Sequence, residues 1–224
     1  MKYVIFLALF ISGTALQAQS LAVIYKETQN LDRIKKQLND PKLEALVLEK
    51  VRALDAEMKL TVHSPESIYS HISPSASKSN ARTVYKNFAT ELLVSEESIL
   101  DRAFIIEESL EKPQWTLDNE EKTVCGLLCR KAQNQFGEIA WYSTEIALSD
   151  GPSKYYGLPG LILEVETKSK KITAEKIEKS TVEKINMPKG GKKISRAAFK
   201  KLKDEKLSEY GVSENNDEIK VIKM

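Results

Sequence analysis

The stretch from Gly151 to Glu166, "GPSKYYGLPGLILEVE", decides how this chain is read. It holds three of the nine glycines and two of the seven prolines. A backbone so composed turns sharply twice, at Gly151-Pro152 and at Gly157-Leu158-Pro159-Gly160, and then enters the apolar run Leu161-Ile162-Leu163. Proline presets φ near −65° and glycine tolerates positive φ, so "LPGL" is expected to form a type II turn with Pro159 and Gly160 at its centre. The structural reading is a double corner between two strands, with Leu158 and Leu161 plugged into the core. The functional reading is a binding rim from which Tyr155 and Tyr156 project, since strand-end loops carry many sites. Neither "GxGxxG" nor a Walker lysine is present, so the glycines do not cradle phosphate.

Outward from this corner the pattern is sheet-like. In "LILEVE" Leu161, Leu163 and Val165 share one face and Glu164 and Glu166 the other. In "WYSTEIAL" Tyr142, Thr144, Ile146 and Leu148 share a face. From Val84 onward, "TVYKNFATELLV", "RAFIIEESL", "QWTLDNEEKTVCGLLCRKAQNQ", "GEIAWYSTEIAL", "GLILEVETK" and "ITAEKIEKSTVEKI" read as strands. The turn signals "LDNEEK", "NQFGE", "SDGP", "GLPG" and "KSKK" punctuate them, as in a meander of antiparallel hairpins. Upstream, "SLAVIYKET" and "AEMKLTVH" alternate as strands, and "NDPKLEALVLEKVRAL" has the cap, first-turn proline and apolar stripe of a helix. Residues 64–82 are rich in Ser and Pro and read as a flexible loop. Ser195 is expected to cap a basic helix running to Tyr210 with Gly211 as its stop, followed by a frayed tail. Between Lys189 and Lys206 there are eight basic and two acidic residues.

The expected fold is mainly β: a curved antiparallel meander sheet or half-barrel, with a helix in the N-terminal half and a C-terminal amphipathic helix. The expected division is a signal peptide over 1–18, a β domain over 19–187, and a basic helix and tail over 188–224. Lys2, the apolar run Tyr3 to Ile11 and the small residues up to Ala18 have the form of an export signal, too short to span a bilayer. The product is therefore expected outside the cytoplasm: periplasmic, associated with the outer membrane, or secreted. No later segment is apolar enough for a transmembrane span. A net charge of +2 does not call for a nucleic-acid partner.

Residue chemistry narrows the function further. The two cysteines, Cys125 and Cys129, would lie about 13 Å apart on a straight strand, so a local disulfide requires a turn at Gly126. His63 and His71 are the only histidines and lack compact metal spacing, and CxxxC is not the zinc CxxC pattern, so no metal site or cofactor is read. Glu107-Glu108, Glu120-Glu121 and Glu164/Glu166 are paired carboxylates, which on strands usually form solvated faces. Trp115, Trp141 and Tyr142 are either core aromatics or a platform for sugar or lipid.

In this order the motifs resemble the GLPGLI family, exported proteins of Bacteroidetes named for the signature seen here as "GLPGLILEV". "VYKNF", "FIIEESL", "EKTVCGLLCRKA", "AWYSTEI" and "YYGLPGLILEVE" carry the likeness over roughly Val84 to Glu178, with "DAEMKLTVHSPESIYSH" upstream. Cys129 matches a cysteine position of that family. Where the family often has Gly-Arg, this chain has Gly137-Glu138. The resemblance implies an uncharacterised exported protein and assigns no catalytic residue. The reading is a non-catalytic exported protein that binds a small ligand, glycan or lipid, or an envelope protein, through Trp141, Tyr142, Tyr155 and Tyr156. The alternatives are a carbohydrate or peptide hydrolase or accessory module using carboxylates of the sheet, and an interaction partner of an outer-membrane transporter or surface complex.

Overall fold

The structure, a computed structural model, describes residues 20–31, 48–49, 51–52, 55–72, 82–99, 102–209, 212–215 and 218–221. The expected signal peptide and nearly all of the expected early helix lie outside the described residues.

Twelve strands form one sheet. In chain order they are β1 (Ser20–Gln29), β2 (Ala56–His63), β3 (Glu66–His71), β4 (Arg82–Asn87), β5 (Leu92–Ile99), β6 (Arg102–Ser109), β7 (Trp115–Val124), β8 (Leu127–Asn134), β9 (Ile139–Ser143), β10 (Leu161–Glu166), β11 (Lys170–Lys179) and β12 (Lys192–Lys193). The spatial order is β12-β6-β5-β4-β3-β2-β1-β11-β10-β9-β8-β7. Two antiparallel meanders, β2 to β6 and β7 to β11, thus flank a central β1, and only β12 joins in parallel, at β6.

Connectivity forces this sheet to curl. Strands β6 and β7 have nine strands between them, yet only Leu110 to Gln114 link them. Those few residues span at most about 21 Å. Laid flat, the same two strands would stand about 48 Å apart. The sheet therefore bends into a bowl whose two rims approach, although among the described residues no ladder closes it.

The registers put Val23, Leu60, Tyr69, Val84, Ser95 and Ile106 in one row across β1 to β6. All six are buried, so the row forms the floor of the bowl. The other face of the first meander carries Tyr85, Val94 and Ile105, covered by Ile185 and Met187 of the segment after β11. That segment then adds β12 to the edge and enters α1 (Arg196–Glu209), where Phe199 packs on Phe104 and Ile106. Ser195 Oγ accepts from Ala198 N, which caps this helix.

Several expectations are corrected. Part of the loop expected over 64–82 is β3, because Ser67 and Tyr69 find buried places between β2 and β4. "TVYKNFATELLV" is a hairpin rather than one strand: Asn87 Oδ1 accepts from Ala89 N and Thr90 N and closes the turn, and Glu91 adopts φ 52°. The turn signal "LDNEEK" is an irregularity inside β7, and the real turn is Cys125-Gly126, both at positive φ, joining β7 to β8. Strand β9 stops at Ser143, so Thr144, Ile146 and Leu148 do not continue its alternation. The tail expected to fray contains the hairpin β13 (Val212–Asn215) and β14 (Glu218–Val221).

Candidate functional site

Residues 144–160, between β9 and β10, do not stand out from the sheet as a rim. They fold back over their own strand ends and into the bowl. Ile162 N donates to Asp150 O at 2.9 Å and Leu161 N to Ile146 O at 3.1 Å. Lys86 of β4 reaches across from the opposite meander, because β4 lies far from β9 and β10 in strand order. Its ammonium donates to Asp150 Oδ1, to Gly151 O at 2.7 Å and to Tyr155 O at 3.4 Å. Lys86 and Asp150 are both fully buried. Burial pushes the Lys86 pKa down, with Asp150 acting against it. Tyr25 of β1 adds a second tie, its hydroxyl donating to Ile162 O at 2.6 Å. Burial, reinforced by Asp150, pushes the Tyr25 pKa well up.

This packing explains the glycines of the corner. A Cβ on Gly160 would stand 2.2 Å from Ser143 O, and one on Gly151 2.7 Å from Ile162 Cβ. Gly160 does not adopt positive φ, so the expected type II turn is not formed; the glycine is needed for close approach to β9. Gly157 does adopt positive φ, +91°, and its open side is covered by the Lys112 stem. Pro152, Leu158, Leu161 and Ile162 are buried and Pro159 faces solvent.

Tyr155 and Tyr156 are buried rather than projecting. They tie the corner to two neighbouring segments. The Tyr155 hydroxyl donates to Glu138 Oε1 at 3.0 Å, and Asn134 Nδ2 donates to Glu138 Oε2 at 2.6 Å. The Tyr156 hydroxyl donates to Leu110 O at 2.8 Å, and Trp115 Nε1 donates to Tyr156 O at 2.9 Å. Glu138 is thus an internal acceptor.

Those ties enclose a cavity of about 390 Å³. Its walls are the β6–β7 link with Glu111, Lys112 and Pro113, the β8–β9 turn with Phe136, and the segment Lys154 to Tyr156. Phe136 stands at the mouth, 70% exposed. Its turn is fixed from below: Asn134 Oδ1 accepts from Phe136 N and Glu138 N, and Gly137 takes φ +78°. Of the four aromatics named from the sequence, Tyr155 and Tyr156 line this cavity and Trp141 and Tyr142 do not. Trp141 is buried under the Lys122 ammonium, 4.0 Å from its ring centroid, and Tyr142 is in the main core. Sequence patterning misses Phe136 because "NQFGE" reads as a polar turn, although an unpaired aromatic at its tip is the available signal.

The cysteines are unbonded. Cys125 sits in the hairpin turn and Cys129 faces the core opposite Lys122, so the turn at Gly126 forms without the disulfide it would permit. Burial pushes the Cys129 thiol up to about 11. The carboxylate pairs singled out from the sequence are mostly held by cations: Glu164 and Glu166 by Lys122 and Lys171, Glu120 by Lys131, Glu121 by Arg130, Glu107 by Lys193 and Glu108 by Arg196. A separate buried group joins Glu27 to Arg82, Lys170 and the Tyr69 hydroxyl. Burial alone would raise the Glu27 carboxyl, but Arg82, Lys170 and Tyr69 outweigh it and hold its pKa below the usual value.

A family model described as "Protein of unknown function (Porph_ging)" matches residues 133–164, which spans the Phe136 turn, β9 and the glycine-proline corner. No curated protein matches the sequence. Two solved structures of PNGF-II, in space groups P21 and C2, share the fold with a TM-score of 0.57 at 13% identity. They cover 83% of this chain and 33% and 32% of their own, so the chain spans about a third of that protein's length. An uncharacterized conserved protein from Thermus thermophilus has a TM-score of 0.42 at 6% identity, covering 80% of this chain and 91% of its own.

Proposed function

We propose that this chain is an exported, non-catalytic binding protein of the GLPGLI type, and that its ligand enters the cavity at Phe136. The observation that carries the reading is the Phe136 ring, held exposed on a rigid turn above a 390 Å³ cavity floored by Tyr155 and Tyr156. Ligand sites combine apolar walls with a few fixed polar groups, and this volume lies in their range. Preorganised walls keep the ordering cost of binding low. The coverage of a third of PNGF-II supports reading the fold as a module that also occurs within longer chains. The apolar stretch Tyr3 to Ile11 supports export.

The test is a thermal-shift screen of the protein lacking residues 1–18 against glycans, lipids, organic acids and peptides, with Phe136→Ala as control. A ligand whose stabilisation disappears in Phe136→Ala supports the site. Ligands indifferent to that substitution, or none in the whole screen, sink it. Cell fractionation tests export, which fails if the chain stays unprocessed in the cytoplasm.

A further inference from the structure

We propose that the Phe136 cavity selects a small carboxylate carried on a ring, the carboxylate meeting Lys112 and Lys154 and the ring lying on Phe136. The inference rests on the binding reading above and adds the chemistry of the ligand.

The charges of the cavity wall carry it. Three carboxylates line the space: Glu108, Glu111 and Glu138. Glu108 is held by Arg196, which donates to it through Nε at 3.0 Å and Nη2 at 2.7 Å. Both oxygens of Glu138 are taken by Tyr155 and Asn134. Glu138 is buried and bonded to neutral donors only, so it keeps its charge, while Glu108 is matched by a cation inside the protein. The two lysines have no such match: among the described residues neither Lys112 nor Lys154 has a carboxylate partner. The Lys112 stem packs over Gly157, and the Lys154 ammonium stands 5.6 Å from the centroid of the Tyr155 ring. Both cations are thus tied to the Tyr155–Gly157 segment that floors the site; of the wall's carboxylates Glu111 is the exposed one that opposes them, and Glu138 lies buried behind the Tyr155 hydroxyl. An anion entering here gains two ammonium groups and displaces no internal ion pair.

The apolar part points the same way. An exposed phenyl ring offers its face to the C–H face of a sugar ring or to an aromatic ring. Leu93, Pro113 and Tyr156 continue the apolar wall inward. Acidic sugars and aromatic acids share the required chemistry, a carboxylate on a ring, and the probes separate them.

The experiment is isothermal titration of the protein with digalacturonate, with phenylacetate and with neutral digalactose, at low and high salt. The indole of Trp115, bonded to Tyr156 O beneath the cavity, provides a fluorescence readout of the same event. One of the two acids is expected to bind, and digalactose to bind more weakly or not at all. Lys112→Met with Lys154→Met, which keeps both stems, is expected to weaken the acid by about tenfold, as two partly exposed ion pairs would. Added salt is expected to weaken it as well. Digalacturonate alone binding assigns an acidic sugar, and phenylacetate alone assigns an aromatic acid. Neutral digalactose binding as tightly as the acids, or an acid indifferent to loss of both lysines, overturns the inference. The Phe136 site itself survives that result if Phe136→Ala still abolishes binding. Binding of none of the three overturns the ligand class, while the broader screen decides the site.

Discussion

The Lys86 ammonium is buried against the Asp150 carboxylate, 64 positions away in the chain, and joins the floor of one meander to the connecting segment of the other. Two further carbonyls, of Gly151 and Tyr155, complete its environment. The contact couples "VYKNF" to the glycine-proline corner. Breaking it from one side leaves an unpaired buried charge, which costs about 3–5 kcal/mol. Lys86→Met is therefore expected to lower stability by that order. Lys86→Met combined with Asp150→Leu is expected to recover a substantial part, since two apolar side chains leave no charge behind. Chemical denaturation of the single and double variants checks this; equal loss in both would show that the pair does not act as a unit.

The acid limb of stability is expected to depend on Glu27. Its folded pKa is depressed, with Arg82 and Lys170 beside it and a hydrogen bond from Tyr69. A depressed carboxylate contributes stability that is present above its unfolded value, about 4.3, and lost as pH falls through the folded value. Glu27→Gln should flatten the decline of stability below about pH 4.3, whatever its effect at neutral pH. Urea titrations from pH 3 to pH 7 on both proteins would read the slope, and parallel curves would exclude Glu27 as the source.

At the alkaline end the buried thiol of Cys129 sets the opposite sign. Its folded value is raised to about 11, so the unfolded chain loses that proton first. Its contribution is complete below the unfolded value, about 8.5, and is lost as pH rises towards 11. Cys129→Ala should make stability less sensitive to pH in that window. The same cysteine answers the disulfide question, because denatured, unreduced protein is expected to titrate two thiols. A count of none would replace the free pair by a bond.

Much of this architecture can be read from residue patterns, and what escapes does so for identifiable reasons. Alternation and turn residues locate most of β6, β9, β10 and β11, and Ser195 announces α1. The position of the corner inside the bowl is not legible, because it depends on which distant strands curl together. One clue is present. Val84 and Lys86 stand two apart in β4 and so share a face, and Val84 is an inward apolar position. A lysine in an inward row implies a buried partner, but nothing local identifies Asp150. Tyr155 and Tyr156 mislead for the same reason: beside glycine and proline they look free, while their hydroxyls in fact reach Glu138 and Leu110.

Phe136 and Tyr155 should separate binding from stability. Phe136 is exposed, so Phe136→Ala is expected to change stability by less than about 0.5 kcal/mol while removing the ring at the cavity mouth. Tyr155→Phe keeps the ring but strips Glu138 Oε1 of its donor, at a cost of about 1–3 kcal/mol. Thermal melts of the two variants beside their binding isotherms would show the dissociation. A large loss of stability in Phe136→Ala would mean that the ring is structural.

The glycines give a sharper test, because two of them are needed for different reasons. Gly126 is in the β7–β8 turn at φ +79° with nothing near its missing Cβ. Gly126→Ala therefore meets only the backbone cost of a left-handed residue, about 1–2 kcal/mol. Gly160 has no such φ, but a Cβ there would stand 2.2 Å from Ser143 O and 2.7 Å from Ser143 C. Backbone cannot swing aside as the end of a flexible side chain does, so the corner or β9 must move. Overpacking of this kind costs about 1–3 kcal/mol and occasionally more, and Gly160→Ala should lie at or above the top of that range. Gly126→Asn should recover part of the loss at the first site, since asparagine tolerates positive φ. Gly160→Asn should do worse than Gly160→Ala, since it adds volume against the same carbonyl. If alanine were tolerated better at 160 than at 126, the tight seating of the corner against β9 would be wrong.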